Sequence, residues 1–556
     1  MYPSDAQSHW ETWLNRWFRP LLITSILVNA GALFITILEP DGALYASISR
    51  TMADSGDFIN LKVEGRDWLD KPHFPFWMAA FSIKLFGANS FAYKFPALLF
   101  WLLGAFYTYR LALEFYSKQV AQIATLVYVT AAHLVISNND VRAEPYLTGL
   151  VAGSVYHYYK ASQQKIGWQL VAGSLLAGMA LMTKGPFILI TIGAGFILHW
   201  CLRKEWRQFL HPRWWLALLL VGLFTLPELL CLYWQFDSHP EKTVFGRTNV
   251  SGIRFFFWDS QFGRFFNTGP IRGKGDPTFY LHTLLWAFLP WSLLLYAALY
   301  GRLKSLLTSR LYQSREFITL GCAGFTLLLF SLSRFQLPHY SNIIFPFLAI
   351  MTADFIVHVY KKGALKAAWW CQQVLAILLP LLLLALAFFY GFPHPVLVMG
   401  GLLLLAALLF WLFRQPGLPG ALGRSTGMAL LVYAFINFLF YPAILRYQSG
   451  SQAAFTLASR QWTGPVFMVR EAPASYSLAY YLPQPLQFCR LEDLSAKKQV
   501  ALFVPEQLAD SLLNADPAYR VFARLPHFHI SQLTGKFINQ QTRDSALQQQ
   551  LILVKD

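Results

Sequence analysis

Charged side chains are scarce in this chain, 13% of residues against 56% hydrophobic ones, so each charge beside an apolar run is a candidate for chemistry. The stretch "EPDGALYASISR" (Glu39 to Arg50) sets Asp41 directly after the first long apolar run. Its carboxylate has two readings. It can cap a helix whose apolar face is Leu44, Ile48 and Met52. Alternatively, it can serve at a lipid–water boundary as a general base or a metal-associated carboxylate, its proton affinity adjusted by partial burial. The segment "EGRDWLDKP" (Glu64 to Pro72) reads either as a solvated charged face or as a place where Lys71 meets a lipid phosphate, since the aromatic run after Pro72 suits a surface pressed against headgroups. In "NNDVRAEP", Arg142 and Glu144 are either a helix start with an acidic first turn or members of a site. Lys184 in "TKGP" and Tyr340 in "RFQLPHY" stand at the ends of apolar runs, where a lysine can snorkel and a tyrosine can sit at an interface. The stretch "NVSGIRFFFWDSQFGRFFNTGPIRGKGDP" is balanced between an interfacial aromatic helix and an anion-binding lid built from Arg254, Arg264, Arg272 and Lys274.

The elements that would position these residues are membrane helices. A chain of 556 residues with mean hydropathy +0.41 has too little charge to cover a soluble surface, so most of it must lie in lipid. Apolar runs fall at residues 20–38, 91–113, 117–137, 144–160, 167–183, 185–202, 213–235, 279–301, 315–333, 338–359, 368–391, 394–413 and 424–444. With about 20 apolar residues needed per span, they predict about thirteen transmembrane helices. The run from Phe74 to Gly87 is too short, carries Lys84, and reads as interfacial or re-entrant. Lysines and arginines crowd the loops on one side, from Arg16, Arg110, Lys160 and Arg203 through Arg302, Arg310, Arg315 and Lys361 to Arg424. The short loops opposite hold only Arg142, Lys184 and Arg334. The bias predicts a cytoplasmic N-terminus, an odd number of spans, and outward loops at 39–90 and 236–278. Asp41, Glu144, Lys184 and the Arg334–Tyr340 link then sit at outer helix ends, where one cavity can gather them.

Residues 1–445 make up this transmembrane unit, and residues 446–556 read differently. There, short β-type runs at 466–469, 501–504 and 551–554 alternate with polar helix-compatible stretches, which predicts a small soluble α/β domain on the outer side. The net charge of +17 follows from the basic loops, and nucleic acid is not an expected partner. The five cysteines have neither disulfide nor metal spacing, and the polar, aromatic first twenty residues are not expected to be a cleaved signal peptide.

In order along the chain, "DGALYA", "SGDF", "EGRDWLDKPHFPFW", "FGANSFAYKFPALLF", "NNDVRAEPYL", "LMTKGP", "QFGRFF", "FLPWS" and "SLSRFQLPHYSNIIFPFLA" resemble the polyprenyl-phosphate-sugar glycosyltransferases of the GT-C fold. That group holds the protein O-mannosyltransferases and the bacterial aminoarabinose lipid A transferases. The resemblance covers roughly residues 20–360, and the later spans and outer domain follow the aminoarabinose transferases in outline. It implies inverting transfer of a sugar from a polyprenyl phosphate, here undecaprenyl phosphate, at the outer face of a bacterial inner membrane. The implied acceptor is a lipid A-like glycolipid, with a protein acceptor as the alternative. Residue by residue, the resemblance makes Asp41 the catalytic carboxylate that activates or orients the acceptor nucleophile and Glu144 a second catalytic acid. Lys71, Arg264, Lys184 and Tyr340 would hold the donor phosphate. The aminoarabinose transferases read Asp-Glu-Pro-Arg-Tyr after the first span, whereas Gly42 and Leu44 stand here for the Glu and the Arg, which leaves donor sugar and acceptor open. Gln261 stands where a histidine is usual, which weakens a metal-dependent reading, although Asp70 would be the carboxylate to hold a divalent metal.

Two other classes compete. A proton-coupled transporter or flippase needs ionisable groups near the bilayer midplane, and Glu228 in "LPELL" is the principal one. The chain lacks internal repeats, which weighs mildly against repeat-built transporters. An envelope scaffold or sensor would use the outer domain to bind a partner, and the polar outer loops argue weakly against it.

Overall fold

Hydrocarbon offers backbone groups no water, so apolar runs of this length must satisfy their hydrogen bonds internally. Every run expected as a span is accordingly helical in the computed structural model, which describes residues 4–269, 271–307, 316–359, 362–494 and 499–555. Arg310, Arg315 and Lys361, counted above among the inside loops, lie outside the described residues. The first ten helices are α1 (Ser4–Gly31), α2 (Asp41–Ser55), α3 (Phe74–Phe86), α4 (Ser90–Phe115), α5 (Lys118–Val129), α6 (Ala132–Asn139), α7 (Glu144–Gln163), α8 (Trp168–Lys184), α9 (Phe187–Arg203) and α10 (Pro212–Leu232). Among the described residues, seven helical stretches are singly long and apolar enough to cross a membrane, and the bent pair α5 and α6, at 47°, makes an eighth. The other expected spans are helices that are shorter, more polar or broken, such as the pair Phe279–Ala287 and Ser292–Leu307. The chain is a multi-pass membrane protein. Helix Pro395–Leu412 is apolar all round and barely packed, with Val396 and Leu397 86% and 77% exposed, as suits a lipid-facing span.

α1 starts well ahead of the first apolar run. Trp10, Trp13 and Trp17 recur at helical spacing on one face and are buried against the bundle, which extends the helix into sequence that looks polar. The 39–90 segment holds two helices. α2 ends at Gly56, whose left-handed backbone closes the last turn by donating to the Met52 carbonyl. α3 leaves Phe81 and Leu85 exposed, consistent with an interfacial position.

The C-terminal unit is a five-stranded mixed sheet of β3 (Val466–Val469), β4 (Leu486–Cys489), β5 (Val500–Pro505), β6 (Tyr519–His527) and β7 (Gln548–Lys555), β1 and β2 being the two-residue strands Lys62–Val63 and Arg66–Asp67. Its order is β4-β3-β5-β7-β6, with β3 parallel to both neighbours and β7 antiparallel to both of its own. The three strands readable as apolar runs are the three central ones. The edge strands β4 and β6 are partly exposed and mix polar with apolar residues, so they carry no such run.

Candidate active site

α7 and α8 are packed neighbours joined by the short turn 164–167, which returns the last residue of α8 to the first residue of α7. Lys184 therefore donates a short charge-assisted hydrogen bond to Glu144, which is only 3% exposed. The Lys184 ammonium also lies 3.7 Å from the centroid of the Tyr340 ring, and His339 Nε2 stands 3.9 Å from Glu144 Oε1. Gly185 ends α8 with φ +99°, and a Cβ there would come within 2.3 Å of Gln261 Nε2. This position fixes the long loop against the helix end.

Asp41 is the first residue of α2, yet its carboxylate makes no capping hydrogen bond. It faces Arg142 instead, with Oδ2 at 2.6 Å from Nη1, and the capping reading gives way to an ion pair. Arg142 also donates to Asp140 Oδ2 from Nη2 at 2.7 Å. Burial weakens the guanidinium's hold on its proton, but Asp140 and Asp41 outweigh that and raise it. Gly42 is needed here: a Cβ would lie 2.8 Å from Asp140 Oδ1.

The loop after β2 brings in Asp70 and Lys71. Lys71 donates to Asp70 Oδ2 at 2.6 Å, and Arg264 makes a short bond to Oδ1. Burial pushes the Asp70 carboxyl up, and the two cations more than reverse this, holding it below the usual carboxylate range. Burial lowers the Lys71 ammonium, with Asp70 partly offsetting it. Arg264 comes from the short helix Phe262–Phe266, and its buried Nε has no hydrogen-bond partner among the described residues.

Asp41, Asp70, Lys71, Glu144, Lys184, Arg264 and Tyr340 all line one cavity of about 190 Å³. Its walls also carry Arg142, so four cations (Lys71, Arg142, Lys184, Arg264) face three carboxylates (Asp41, Asp70, Glu144). An apolar slot walled by Phe187, Ile188, Phe265, Leu329 and Phe330 adjoins it and shares Lys184, Arg264, Phe335 and Tyr340. A cationic head beside a greasy slot suits an anion carried on a hydrocarbon chain.

Several expectations need correction. Of the four basic residues read as a lid, only Arg264 reaches the cavity. Arg254, Arg272 and Lys274 are exposed, and Arg254 lies beside Asp259. The residues present do not fit a divalent metal at Asp70. Both of its oxygens are held by cations, Gln261 points its amide at Ser260 and at the Lys184 carbonyl, and no cluster of three or more His, Cys, Asp or Glu among the described residues is spaced to share an ion. Glu228 is absorbed locally: it accepts the His73 backbone N–H at 2.9 Å and faces His73 Nδ1 at 3.1 Å, with both side chains fully buried. The pair pins the loop carrying Lys71 to α10.

The sequence assigns Arg142 no specific role in the site and gives no role to Tyr45, Asp140 or His339. Tyr45 packs edge-on to Trp68 and Phe76 and lines the cavity, where burial and then Asp70 and Asp41 raise its hydroxyl pKa well above the ordinary value. The signal for Arg142 was its place between two carboxylates, Asp140 and Glu144, each two residues away, just ahead of an apolar run.

Against known proteins, a family model described as dolichyl-phosphate-mannose-protein mannosyltransferase matches residues 70–234. An undecaprenyl phosphate-alpha-4-amino-4-deoxy-L-arabinose arabinosyl transferase of Edwardsiella ictaluri is 29% identical over 327 residues, 57% of this chain and 55% of the relative. The enzyme of the same name from an Enterobacter species is 28% identical over 374 residues, 65% of this chain and 64% of the relative. The chain thus spans between about half and two-thirds of the length of these curated relatives. The crystal structure of ArnT from Cupriavidus metallidurans bound to undecaprenyl phosphate superposes with TM-score 0.73 at 18% identity, covering 97% of both chains. The apo form of the same protein gives 0.71. The chain has the GT-C fold of these structures.

Proposed function

We propose that this chain is a polyprenyl-phosphate-sugar glycosyltransferase of the GT-C fold, moving a sugar from undecaprenyl phosphate to a lipid A-like glycolipid at the periplasmic face of the bacterial inner membrane. The observation that carries this reading is one cavity in which a partly exposed carboxylate, Asp41, faces a surplus of cations that continues into an apolar slot. In an inverting displacement, the acceptor hydroxyl oxygen bonds to the anomeric carbon while the bond from that carbon to the phosphate oxygen breaks. Asp41, oriented by Arg142, takes the hydroxyl proton. The electron pair leaves with the polyprenyl phosphate, whose charge Lys71, Lys184 and Arg264 stabilise, and the orphaned Arg264 Nε suits a phosphate oxygen. Glu144 holds Lys184 at its station over Tyr340. The apolar slot suits the first isoprene units of the donor.

Orientation rests on the asymmetry of Lys and Arg between loops, which favours a cytoplasmic N-terminus and a periplasmic C-terminal domain. Contacts between that domain and the Glu39–Arg50 segment agree with site and domain sharing one side. The similarity of residues 70–234 to a protein mannosyltransferase model favours a second reading, transfer to a protein serine or threonine by the same chemistry. The transporter alternative loses its main residue, because Glu228 is buried and engaged by the His73 backbone N–H and ring.

Incubating the purified protein with a labelled undecaprenyl-phosphate sugar and envelope extract, then separating lipid from protein, tests the proposal. Label in the glycolipid fraction is expected. Label in protein alone selects the second reading, and no transfer to either rejects both.

A further inference from the structure

Glu39 and Arg50 have no part in the cavity, yet both are engaged by the C-terminal domain. The short helix Tyr476–Tyr481 packs along α2, and each of its ends is closed by a residue from the α2 segment. At its N-terminal end the Glu39 carboxylate accepts from Ser475 Oγ at 2.7 Å and from the Ser477 backbone N–H at 2.8 Å. At its C-terminal end Arg50 donates to the carbonyls of Tyr480 at 2.6 Å and Leu482 at 2.5 Å, with a further bond to Pro483 at 3.2 Å. A helix leaves donors unpaired at its start and acceptors at its end, and its dipole favours an anion at the first and a cation at the second. Glu39 and Arg50 match both demands from another part of the fold. Between Glu39 and the bundle, Gln448 adds a brace: its Oε1 accepts the Glu39 N–H at 3.0 Å and its Nε2 donates to the Ile37 carbonyl at 2.9 Å.

We infer that Glu39 and Arg50 are positioning residues that splint α2 to the helix Tyr476–Tyr481, so that the C-terminal domain sets the place of Asp41 in the first turn of α2. This rests on the transferase reading above, since it supposes that the place of Asp41 governs turnover. The splint holds α2 just ahead of its first residue, at Glu39, and again within the helix at Arg50, and Asp41 lies two residues from Glu39. Loosening it moves the carboxylate relative to the acceptor while leaving Lys71, Lys184 and Arg264, which sit on other elements, where they are.

The test uses the full-length protein in nanodiscs with Glu39→Gln, Arg50→Met and, from the domain side alone, Ser475→Ala. Hydrogen exchange by mass spectrometry should find residues 41–55 exchanging about tenfold faster in the first two variants, with α7 and α8 unchanged. Turnover should fall by about 10- to 100-fold, as for a displaced catalytic group, while affinity for undecaprenyl phosphate stays within about twofold of wild type. Ser475→Ala should move exchange and turnover in the same direction by less. Unchanged exchange in residues 41–55, wild-type turnover despite faster exchange, or a matching loss of undecaprenyl phosphate affinity each overturns the inference. A wild-type protein that transfers no sugar rejects the transferase reading, and unchanged exchange then still rejects the splint by itself.

Discussion

Replacing Lys184 with methionine removes the cation that faces Glu144, a carboxylate only 3% exposed. Two separate losses follow. Deleting one partner of a buried ion pair costs about 3–5 kcal/mol. Because 18% of the Lys184 side chain is exposed, solvent screens part of that cost and the lower end, about 3 kcal/mol, applies to folding stability. The second loss is a charge-assisted bond to the donor phosphate, about 1.5–3 kcal/mol, or roughly 10- to 150-fold in Kd. The double variant Lys184→Met/Glu144→Gln separates them. It removes the stranded carboxylate, so most of the stability returns, whereas the phosphate contact stays lost. Thermal unfolding in detergent reads the first quantity, and equilibrium binding of undecaprenyl phosphate reads the second. A double variant that binds undecaprenyl phosphate as tightly as wild type refutes the phosphate role of Lys184. A single variant as stable as wild type refutes the buried pair.

Gly42→Ala sets a Cβ 2.8 Å from Asp140 Oδ1 and should push that carboxylate off Arg142, loosening the guanidinium that orients Asp41; turnover measured against wild type should drop about tenfold with α-helix content unchanged. The His73–Glu228 pair gives stability a pH dependence. Burial opposes charge on the imidazole, but Glu228 outweighs it, so His73 has a pKa above the ordinary value in the folded protein. The group that gains protons on folding stabilises fully below its unfolded pKa of about 6.5, and the contribution is lost as pH rises through the higher folded value. Unfolding midpoints from pH 5.5 to 9 should therefore fall across that upper range, and Glu228→Gln should flatten the fall. Lys71→Ala should weaken undecaprenyl phosphate binding by about tenfold in a direct binding assay while leaving Asp41 paired with Arg142.

The helices are legible in the sequence because an apolar run in lipid has one backbone solution, and the central strands β3, β5 and β7 are legible because strands buried on both faces carry no alternation. The site is legible in part for a different reason. Asp41, Glu144, Lys184 and Tyr340 all stand at helix ends on the side that the charge bias marks as outer, so topology alone brings them near one another. Arg264 is less accessible to such reasoning: nothing local separates it from Arg254 or Arg272, and its selection depends on how the Phe262–Phe266 turn packs against the Arg334–Tyr340 link. The role of Arg142 hides for a related reason. Asp140 lies two residues away, but its other partner, Asp41, lies far earlier in the chain, and only tertiary packing reveals that a suspected cap is an ion pair. Glu39 is the clearest case. Its partners Ser475 and Ser477 lie in the C-terminal domain, beyond the reach of any local pattern.

The most direct measurement compares purified wild type with Asp41→Asn in transfer of a labelled sugar from undecaprenyl phosphate to envelope lipid, alongside binding of undecaprenyl phosphate to both. The asparagine cannot accept the hydroxyl proton but keeps the size of the side chain. The expected result is turnover reduced by at least about a hundredfold with donor affinity within about twofold of wild type. Turnover in Asp41→Asn equal to wild type contradicts the account.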